Sequence, residues 1–349
     1  MRAAVLFGPN DFRVVDKPVP QPGAGEVLVK VAMCGTCGTD LKIQTHPFPA
    51  QPPFGQFTPG HEWTGTVAAL GSDVDELTTG DRVAIEAHKG CGRCDNCLLG
   101  MYTACLNYGK VTKGHRTSGL TVDGGFAEYA VHHVNALYRV PDNVSWEDAV
   151  LVTTAGTGLY GLEVAGGYVA GQSVAIIGPG PVGLMTLQAC KALGAAPLFL
   201  IGTRSARLDL GLRLGADVVL NAREQDVAAD VKRATEGLGV DLVIEASGGT
   251  DAPQLCVELV KRGGKILFLA FYPERVTFDL SSAIRDDVTL YTSRGEGSLA
   301  VKRALSLAGQ GKLRGRDLVT HHFPLEQIQE GFRVLRERDG DPIKVVFVP

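Results

Sequence analysis

A glycine-rich turn near the middle of the chain restricts the fold more than any other feature of the sequence. An apolar run, residues 173–177, leads directly into Gly178-Pro179-Gly180-Pro181-Val182-Gly183, and a helix-like stretch follows. In such a motif the first glycine permits a tight turn, the second lets the backbone approach a pyrophosphate, and the third packs helix against strand. The helix N-terminus adds unpaired N–H groups for the phosphates.

The context of the motif decides its interpretation, because a chain with 44 glycines can contain the motif by chance. Here strand, turn, helix and next strand follow one another in the order that dinucleotide binding requires. The sequence therefore predicts a dinucleotide site. Its predicted contact residues in the turn are Gly178, Gly180, Pro181, Val182 and Gly183.

The chain changes texture at about residue 145. Before it, short strands are separated by proline and glycine, which predicts a β-rich domain. After it, strongly apolar strands alternate with helices, which predicts a parallel sheet covered on both faces, a doubly wound α/β domain. A chain of 349 residues exceeds what one hydrophobic core usually supports. We therefore expect a first domain over residues 1–151, a dinucleotide-binding domain over 152–296, and a C-terminal segment over 297–349 that returns to the first domain.

The end of the second strand in the dinucleotide-binding domain bears on the choice of nicotinamide. A site for NAD would carry Asp or Glu about 20 residues after the motif, to bind the ribose 2′-OH. This chain has Gly202-Thr203-Arg204 there, with Arg207 one turn on. Gly202 removes the carboxylate that would repel a 2′-phosphate, and the other three side chains can donate to one. The sequence favours NADP(H), and NAD(H) with solvated arginines is the alternative.

Four cysteines form the most specific short pattern in the chain, Cys91-x2-Cys94-x2-Cys97-x7-Cys105. Four thiolates satisfy tetrahedral zinc and leave no open position, which predicts a structural zinc. Disulfides or an iron–sulfur cluster are alternative interpretations. A nucleic-acid zinc ribbon is disfavoured because the net charge is -4 and the sequence has no cluster of lysine and arginine.

A second set of possible ligands lies nearer the N-terminus. Cys37, His61 and Glu62 offer a thiolate, an imidazole and a carboxylate, a mixture that suits a zinc with one position open for chemistry. Two other interpretations remain: His61 and Glu62 as a structural hydrogen-bonding pair, and Cys34-x-x-Cys37 as a redox pair or half of a zinc site.

All these motifs occur in order over essentially the whole chain, together with Gly65, Gly71 and Gly80-Asp81-Arg82-Val83. The chain thereby resembles the zinc-dependent medium-chain alcohol dehydrogenase family, particularly its polyol (sorbitol) and threonine dehydrogenase branch. The resemblance implies a GroES-like β-rich catalytic domain, a Rossmann domain, and a homodimer or homotetramer. It also implies two zinc ions per chain, one catalytic and one structural.

The resemblance assigns roles to individual residues. Cys37, His61 and Glu62 are implied to hold the catalytic zinc. Thr39 is implied to pass the alcohol proton outward, and Asp40 to orient the metal ligands. The zinc would lower the pKa of the substrate alcohol and so favour hydride transfer to the nicotinamide.

Two positions depart from the pattern of these relatives. Lys42 stands where threonine dehydrogenases have a histidine in the proton relay, and a lysine can serve only if burial lowers its pKa. Thr153 stands where relatives carry Glu or Cys beside the metal. We therefore expect a zinc with three protein ligands and a water, and Thr153 or Thr154 as at most a hydrogen-bonding neighbour.

The loops suggest what the substrate is. Residues 106–125 contain Lys110, Lys113, His115 and Arg116, which favours a polyol, sugar, cyclitol or hydroxy acid. Residues 45–59 contain three phenylalanines, which favours the alternative of an alicyclic or aromatic secondary alcohol. The sequence is also compatible with a zinc-independent NADPH enone or quinone reductase, and with a non-enzymatic zinc-binding redox sensor.

The sequence gives no sign of a membrane or secretory destination. No apolar run approaches the roughly 20 residues of a membrane span, and the N-terminal apolar stretch is too short for a signal peptide. We expect a cytoplasmic enzyme whose partner is a small alcohol or ketone, with no nucleic acid and no membrane.

Overall fold

A computed structural model describes all residues, 1–349. The chain forms two compact units, one made of Met1–Gly156 with Gly295–Pro349 and the other of Thr157–Arg294. The first unit is rich in β-strands and the second has a parallel sheet with helices between its strands. The predicted fold class is confirmed. No helix has the length and apolar character that crossing a membrane requires.

The first unit begins with nine short strands and a few short helices. In chain order the elements are β1 (Arg2–Gly8), β2 (Asp11–Asp16), β3 (Glu26–Gly35), α1 (Gly38–Ile43), β4 (Glu62–Leu70), β5 (Arg82–Ile85), β6 (His88–Lys89), α2 (Asp95–Leu98), β7 (Arg116–Thr117), β8 (Tyr129–His133), β9 (Leu137–Arg139) and α3 (Trp146–Ala149). Short 3₁₀ helices lie at Tyr102–Ala104, Val111–Lys113 and Val134–Ala136. The chain passes into the second unit within α4 (Val152–Val164).

The second unit alternates strands and helices. Its elements are β10 (Val174–Ile177), α5 (Pro181–Ala192), β11 (Leu198–Gly202), α6 (Ser205–Leu214), β12 (Val218–Asn221), α7 (Val227–Ala234), β13 (Val240–Glu245), α8 (Ala252–Leu259), β14 (Val260–Phe268), α9 (Leu280–Arg285) and β15 (Thr289–Thr292).

The sheet of the second unit has six parallel strands in the order β12-β11-β10-β13-β14-β15. All residues of β10 and β11 are buried, as expected for strands covered on both faces. The strand order reverses between β10 and β13. In doubly wound sheets ligands bind outside the carboxyl ends of the strands at such a reversal, and the glycine-rich turn follows β10 directly.

The end of the chain completes the first unit. It contributes α10 (Ala300–Gly309), β16 (Val319–Pro324), a 3₁₀ helix at Leu325–Gln327, α11 (Ile328–Glu337) and β17 (Lys344–Val348). The main sheet runs β16-β17-β3-β4-β5-β9, with β8 also paired to β3. Phe347 in β17 packs edge to face on Phe126, with ring centroids 5.4 Å apart. Strand β17 therefore lies inside the core of this unit.

Candidate active site

Strand pairing brings Cys37, His61 and Glu62 together. Strand β3 ends at Gly35, which pairs with Glu62 at the start of β4, and Cys37 follows as the residue that precedes α1. One possible ligand atom from each of the three side chains lies within 4.8 Å of the others. His61 and Glu62 are buried, at 6% and 4% exposure. Cys34 is not part of this group, and none of the cysteines forms a disulfide.

Asp40 occupies the position from which it can orient two of these ligands. It is fully buried and accepts a hydrogen bond from the backbone N–H of Cys37 through Oδ2 at 2.8 Å. Its Oδ1 lies 3.4 Å from His61 Nδ1, and neither atom has another hydrogen-bond partner. A metal-binding histidine usually donates its second N–H to a carboxylate, so this contact leaves His61 Nε2 for a metal.

The electrostatics of His61 follow from these neighbours. Burial favours the neutral imidazole, but the charges and hydrogen bonds of Asp40 and Cys37 outweigh burial and raise the pKa of His61 well above its usual value. A site that attracts a proton this strongly is a site of negative potential, which also attracts a cation. Thr39 adds a hydroxyl 3.8 Å from Cys37 Sγ.

Lys344 is a member of this site that the sequence analysis missed. Its ammonium group is buried at 1% exposure, forms an ion pair with Glu62, and donates to the backbone carbonyl of Thr36 at 2.8 Å. It also lies 3.4 Å from Thr154 Oγ1. The one signal in the sequence was a lysine at the start of the otherwise apolar run 344–348, but nothing in the sequence connects it with Glu62.

The surroundings of Lys42 and Thr153 bear on their predicted roles. Lys42 is exposed, so it lacks the burial that a proton relay would require, and we no longer assign it that role. Thr153 is buried and donates its hydroxyl proton to the carbonyl of Ile85 at 2.8 Å. It is thus oriented toward the end of β5, which leaves Cys37, His61 and Glu62 as the grouped ligands.

The four cysteines of the predicted structural site form a separate group. One sulfur from each of Cys91, Cys94, Cys97 and Cys105 lies within 4.8 Å of the others. Three N–H groups point at these sulfurs: the backbone N–H of Cys91 and of Asn107 donate to Cys105, and the Asn107 amide donates to Cys91 at 3.2 Å. The Asn107 bond is the largest of several that lower the pKa of Cys91 to about 6. Such bonds favour thiolates, the form that binds zinc.

The glycine-rich turn has the geometry that its motif requires. Gly178 has a φ of +107°, and a Cβ there would lie 2.7 Å from Ser247 Cα. At Gly183 a Cβ would collide with the carbonyl oxygen of Gly178, which shows how closely helix and turn pack. At Gly180, by contrast, a Cβ would meet nothing within 4 Å. The backbone at Gly180 is therefore open to a ligand, while Pro181 and Val182 begin α5.

The end of β11 leaves no room for an acidic side chain at its last position. Gly202 is buried, and a Cβ there would lie 2.5 Å from the ring of Pro179. The exposed Thr203 follows, and the partly buried Arg204 precedes the first residue of α6. Arg207 lies in the first turn of that helix.

Two of the four basic side chains expected to face the substrate bond to other residues of the protein. His115 is buried and accepts a hydrogen bond from the Gly109 N–H at 3.1 Å, and Arg116 forms an ion pair with Glu26 at 3.1 Å. Lys110 and Lys113 are exposed. His115 and Arg116 therefore bond to other residues of the first unit, and the expectation that this loop indicates a polar substrate stays a prediction.

The phenylalanines of the other loop are also engaged elsewhere. Phe57 is fully buried in a small cluster with Ile43 and Leu120, and Phe48 packs against this cluster. Phe54 packs against the main core of the first unit. These contacts weaken the argument for an apolar substrate that was based on this loop.

A buried carboxylate from the end of the chain was also missed. Glu296, at 2% exposure, contacts His88 Nδ1 at 3.0 Å and accepts from the His88 backbone N–H at 3.3 Å. A Cβ on Gly156 would lie 3.3 Å from Cβ and Cγ of Glu296, so the stem of this side chain packs against α4, the helix that also carries Thr153. Glu296 lies 208 residues from His88, so no motif spacing in the sequence connects the two.

Comparison with known proteins is consistent with this arrangement. Residues 23–142 match the family model described as the alcohol dehydrogenase GroES-like domain, and residues 181–310 match the one described as zinc-binding dehydrogenase. The chain is 30% identical to sorbitol dehydrogenase of Bacillus subtilis, covering 100% of this chain and 97% of that protein. It is 35% identical to L-threonine 3-dehydrogenase of Pyrococcus horikoshii, covering 96% of this chain and 94% of that protein.

Solved structures of dehydrogenases are also similar to this chain over nearly its whole length. An oxidoreductase/dehydrogenase of unknown specificity from Escherichia coli superposes with a TM-score of 0.92 at 31% identity, covering 99% of this chain and 98% of the other. Galactitol-1-phosphate dehydrogenase from Escherichia coli superposes with a TM-score of 0.89 at 27% identity, and both chains are covered completely, at 100%.

Proposed function

The chain belongs to the zinc-type medium-chain alcohol dehydrogenase family, whose members are oxidoreductases, and we propose that it transfers a hydride between NAD(P) and a secondary alcohol or its ketone with the help of zinc. The convergence of Cys37, His61 and Glu62 within 4.8 Å is the observation that carries this proposal. The donors fit zinc, since they combine sulfur, nitrogen and oxygen and leave a position open.

Each residue of the proposed centre has a task that its contacts support. Cys37, His61 and Glu62 would hold the zinc, which would supply a Lewis acid for the substrate oxygen. Asp40 orients Cys37 and His61. Thr39, whose hydroxyl lies beside Cys37, accepts the alcohol proton and passes it outward. The second zinc belongs to the four cysteines and has a structural role.

We propose NADP(H) as the preferred cofactor, with NAD(H) as the alternative. The second unit binds the pyrophosphate at the open backbone of Gly180 and the N-terminus of α5. The packing of Gly202 on Pro179 supports the preference, because no carboxylate at position 202 can repel a 2′-phosphate. Thr203, Arg204 and Arg207 supply donors for that phosphate.

The proposed substrate is a polar secondary alcohol of the polyol, sugar, cyclitol or hydroxy-acid type. Relatives named as dehydrogenases of sorbitol, L-threonine and galactitol-1-phosphate support this class of substrate. The polar pair of half-buried His88 and buried Glu296, beside α4, supports it as well. The engagement of the loop phenylalanines in cores disfavours the alicyclic or aromatic alternative. We propose a homodimer or homotetramer as the active assembly.

The test combines metal analysis with an activity screen. The purified protein is expected to contain about two zinc ions per chain. It is also expected to oxidise a member of a polyol panel, which the absorbance of the reduced nicotinamide measures. Cys37→Ser is expected to reduce the zinc content to about one and abolish turnover, with dinucleotide binding unchanged. Cys190→Ser, at a buried cysteine outside both metal groups, is the matched control and should keep both ions.

Two results would contradict the proposal. One zinc per chain in the unsubstituted protein, retained in Cys37→Ser, would mean that the three side chains do not bind metal. Turnover that persists in Cys37→Ser would mean that the metal at this site does not take part, as in a zinc-independent enone reductase.

A further inference from the structure

A buried carboxylate lies at the end of the central strand β13, and none of the roles assigned so far uses it. Glu245 is the last residue of β13 and is 0% exposed. Its Oε1 accepts from the backbone N–H of Ser247 at 2.7 Å, from that of Gly248 at 3.0 Å, and from the Ser247 hydroxyl. Its Oε2 accepts from the Tyr272 hydroxyl at 2.7 Å. These partners are uncharged donors, which suit an ionised carboxylate because it only accepts. Glu245 is thus a buried negative charge held by hydrogen bonds.

This charge lies directly beside the glycine-rich turn. Strand β13 pairs with β10, and Glu245 is opposite Ile177, the residue that precedes the turn. A Cβ on Gly178 would lie 2.7 Å from the backbone nitrogen of Ser247, the same nitrogen that donates to Glu245. A single backbone N–H therefore separates the carboxylate from the first glycine of the turn.

The order of the strands indicates which half of a dinucleotide lies over Glu245. The proposed function places the pyrophosphate at the turn after β10 and the 2′-phosphate of the adenosine half at the end of β11. Strand β10 lies between β11 and β13 in the sheet. Because a dinucleotide binds across the carboxyl ends of the strands, its nicotinamide half extends from the turn to the other side, over β13. Neighbouring strands are only about 4.8 Å apart, so Glu245 lies beneath that half.

The nicotinamide ring is the part of the cofactor whose charge changes in the reaction. The oxidised ring carries a positive charge that the reduced ring lacks, while the phosphates are the same in both forms. A fixed negative charge therefore repels the phosphates of both forms equally and attracts only the oxidised ring. Charged protein groups near a cofactor ring tune its chemistry in this way, and burial strengthens the effect.

We propose that Glu245 is a specificity-determining residue whose charge makes the second unit bind oxidised NAD(P)⁺ in preference to reduced NAD(P)H. This inference rests on the proposed function, because it assumes a dinucleotide at the glycine-rich turn. A chain that holds the oxidised form more tightly retains the cofactor in the form that alcohol oxidation consumes.

The experiment measures the dissociation constants of NADP⁺ and NADPH by calorimetry, with the full chain at one pH. The readout is the ratio of the NADP⁺ constant to the NADPH constant, because a general loosening of the site weakens both and cancels. In Glu245→Gln we expect this ratio to rise about fourfold, the size of one charge–charge attraction in a partly hydrated site. If the unsubstituted protein prefers NAD(H), the same ratio is measured with NAD⁺ and NADH.

The Gln variant is designed to keep the shape of the site. Its amide oxygen can accept from Ser247 and Gly248, and its NH₂ group can donate to the Tyr272 hydroxyl. Circular dichroism verifies the fold. Glu245→Met is a second neutral variant that lacks both oxygens, and it should raise the ratio by a similar factor. Either neutral variant tests the proposal by itself.

Two control variants separate charge from shape. Tyr272→Phe removes a hydrogen bond from the carboxylate but leaves its charge, so the ratio should not change. Glu258→Gln makes the same charge change at an exposed position near the C-terminus of α8. This helix runs back from the carboxyl ends of the strands, so Glu258 lies toward the opposite edge of the sheet, and its loss should leave the ratio unchanged.

The outcomes distinguish this inference from the proposed function. If the unsubstituted protein binds neither form of either nicotinamide dinucleotide, the proposed function fails and this inference fails with it. If the protein binds both forms and the neutral variants keep the parent ratio, only the role of Glu245 is refuted. A ratio that rises as much in Tyr272→Phe as in Glu245→Gln would assign the effect to loop shape and would also refute it.

Discussion

Lys344 illustrates how single buried charges depend on one another in this protein. It is 1% exposed and forms an ion pair with Glu62, which is itself 4% exposed. Removing one member of a buried pair leaves the other uncompensated, which typically costs about 3 to 5 kcal/mol of stability. A metal that binds Glu62 supplies positive charge of its own, so Lys344 matters most to the metal-free protein.

Replacing Lys344 with Met should therefore make stability depend strongly on metal. We expect the melting temperature of the metal-free variant to fall well below that of the metal-free parent, with most of the loss recovered when zinc is added. Lys302→Met, at an exposed position of α10, is the control and should change neither value. Equal losses with and without zinc would contradict the idea that metal and Lys344 compensate the same carboxylate.

The arginine at the start of α6 allows a test of cofactor preference. Arg204→Ala should weaken NADPH binding about tenfold, the effect of losing one charge-assisted hydrogen bond, and NADH binding far less. Titration of both nucleotides by fluorescence measures this. Arg213→Ala, which removes the same charge at the other end of the helix, should change neither affinity. Similar losses for both nucleotides in Arg204→Ala would end the 2′-phosphate argument.

Strand β8 carries a titratable group, His132, that is buried in the first unit. His132 is 1% exposed, its Nδ1 accepts from the His133 backbone N–H at 3.0 Å, and its Nε2 has no partner. Burial, helped by the charge of Arg116, lowers the pKa of His132 to about 3. The folded protein therefore keeps this ring neutral over a range in which the unfolded chain binds a proton.

The lowered pKa of His132 makes the stability of the folded protein depend on pH. Between about pH 6.5 and pH 3 the unfolded state binds up to one more proton than the folded state, so His132 makes stability fall as the pH falls, by up to about 1.4 kcal/mol per pH unit. His132→Asn should remove this contribution from denaturant unfolding measured between about pH 6.5 and pH 5. His46→Asn, at an exposed histidine, should leave the slope unchanged. An unchanged slope in His132→Asn would mean that the ring is already protonated when folded.

At the scale of the whole molecule, the first unit needs both ends of the chain. Strand β17 pairs with β16 on one side and with β3 on the other. Its Val345, Val346 and Phe347 are all 0% exposed. Burying one such side chain contributes about 1.5 to 3 kcal/mol, and three together approach the whole stability of a typical domain.

Ending the chain at Ile343 should consequently prevent the first unit from folding. We expect loss of its cooperative melting transition and of zinc binding at Cys37, His61 and Glu62. A chain that ends at Phe347 is the matched control, because it loses only the partly exposed Val348 and the last proline, and it should melt close to the full-length protein. A native-like transition in the shorter chain would show that β17 is dispensable.

The sequence by itself determined the parts of this protein that depend on neighbouring residues. The glycine-rich turn is contiguous with its strand and helix, so its role follows from the conformations that glycine permits. The four cysteines lie within residues 91–105, a loop short enough for the spacing alone to predict convergence. The alternation of apolar strands and helices determined the parallel sheet in the same local way.

Only the tertiary structure decided which distant residues meet at the site. Lys344 is 282 residues from Glu62, and Glu296 is 208 from His88. Periodicity and motif spacing describe the chain over one or two elements, whereas these contacts join residues that only the folded first unit brings together, as the pairing of β17 with β3 does for Lys344. A buried charge also reveals its partner only through packing, because many carboxylates along the chain are equally possible until burial selects one.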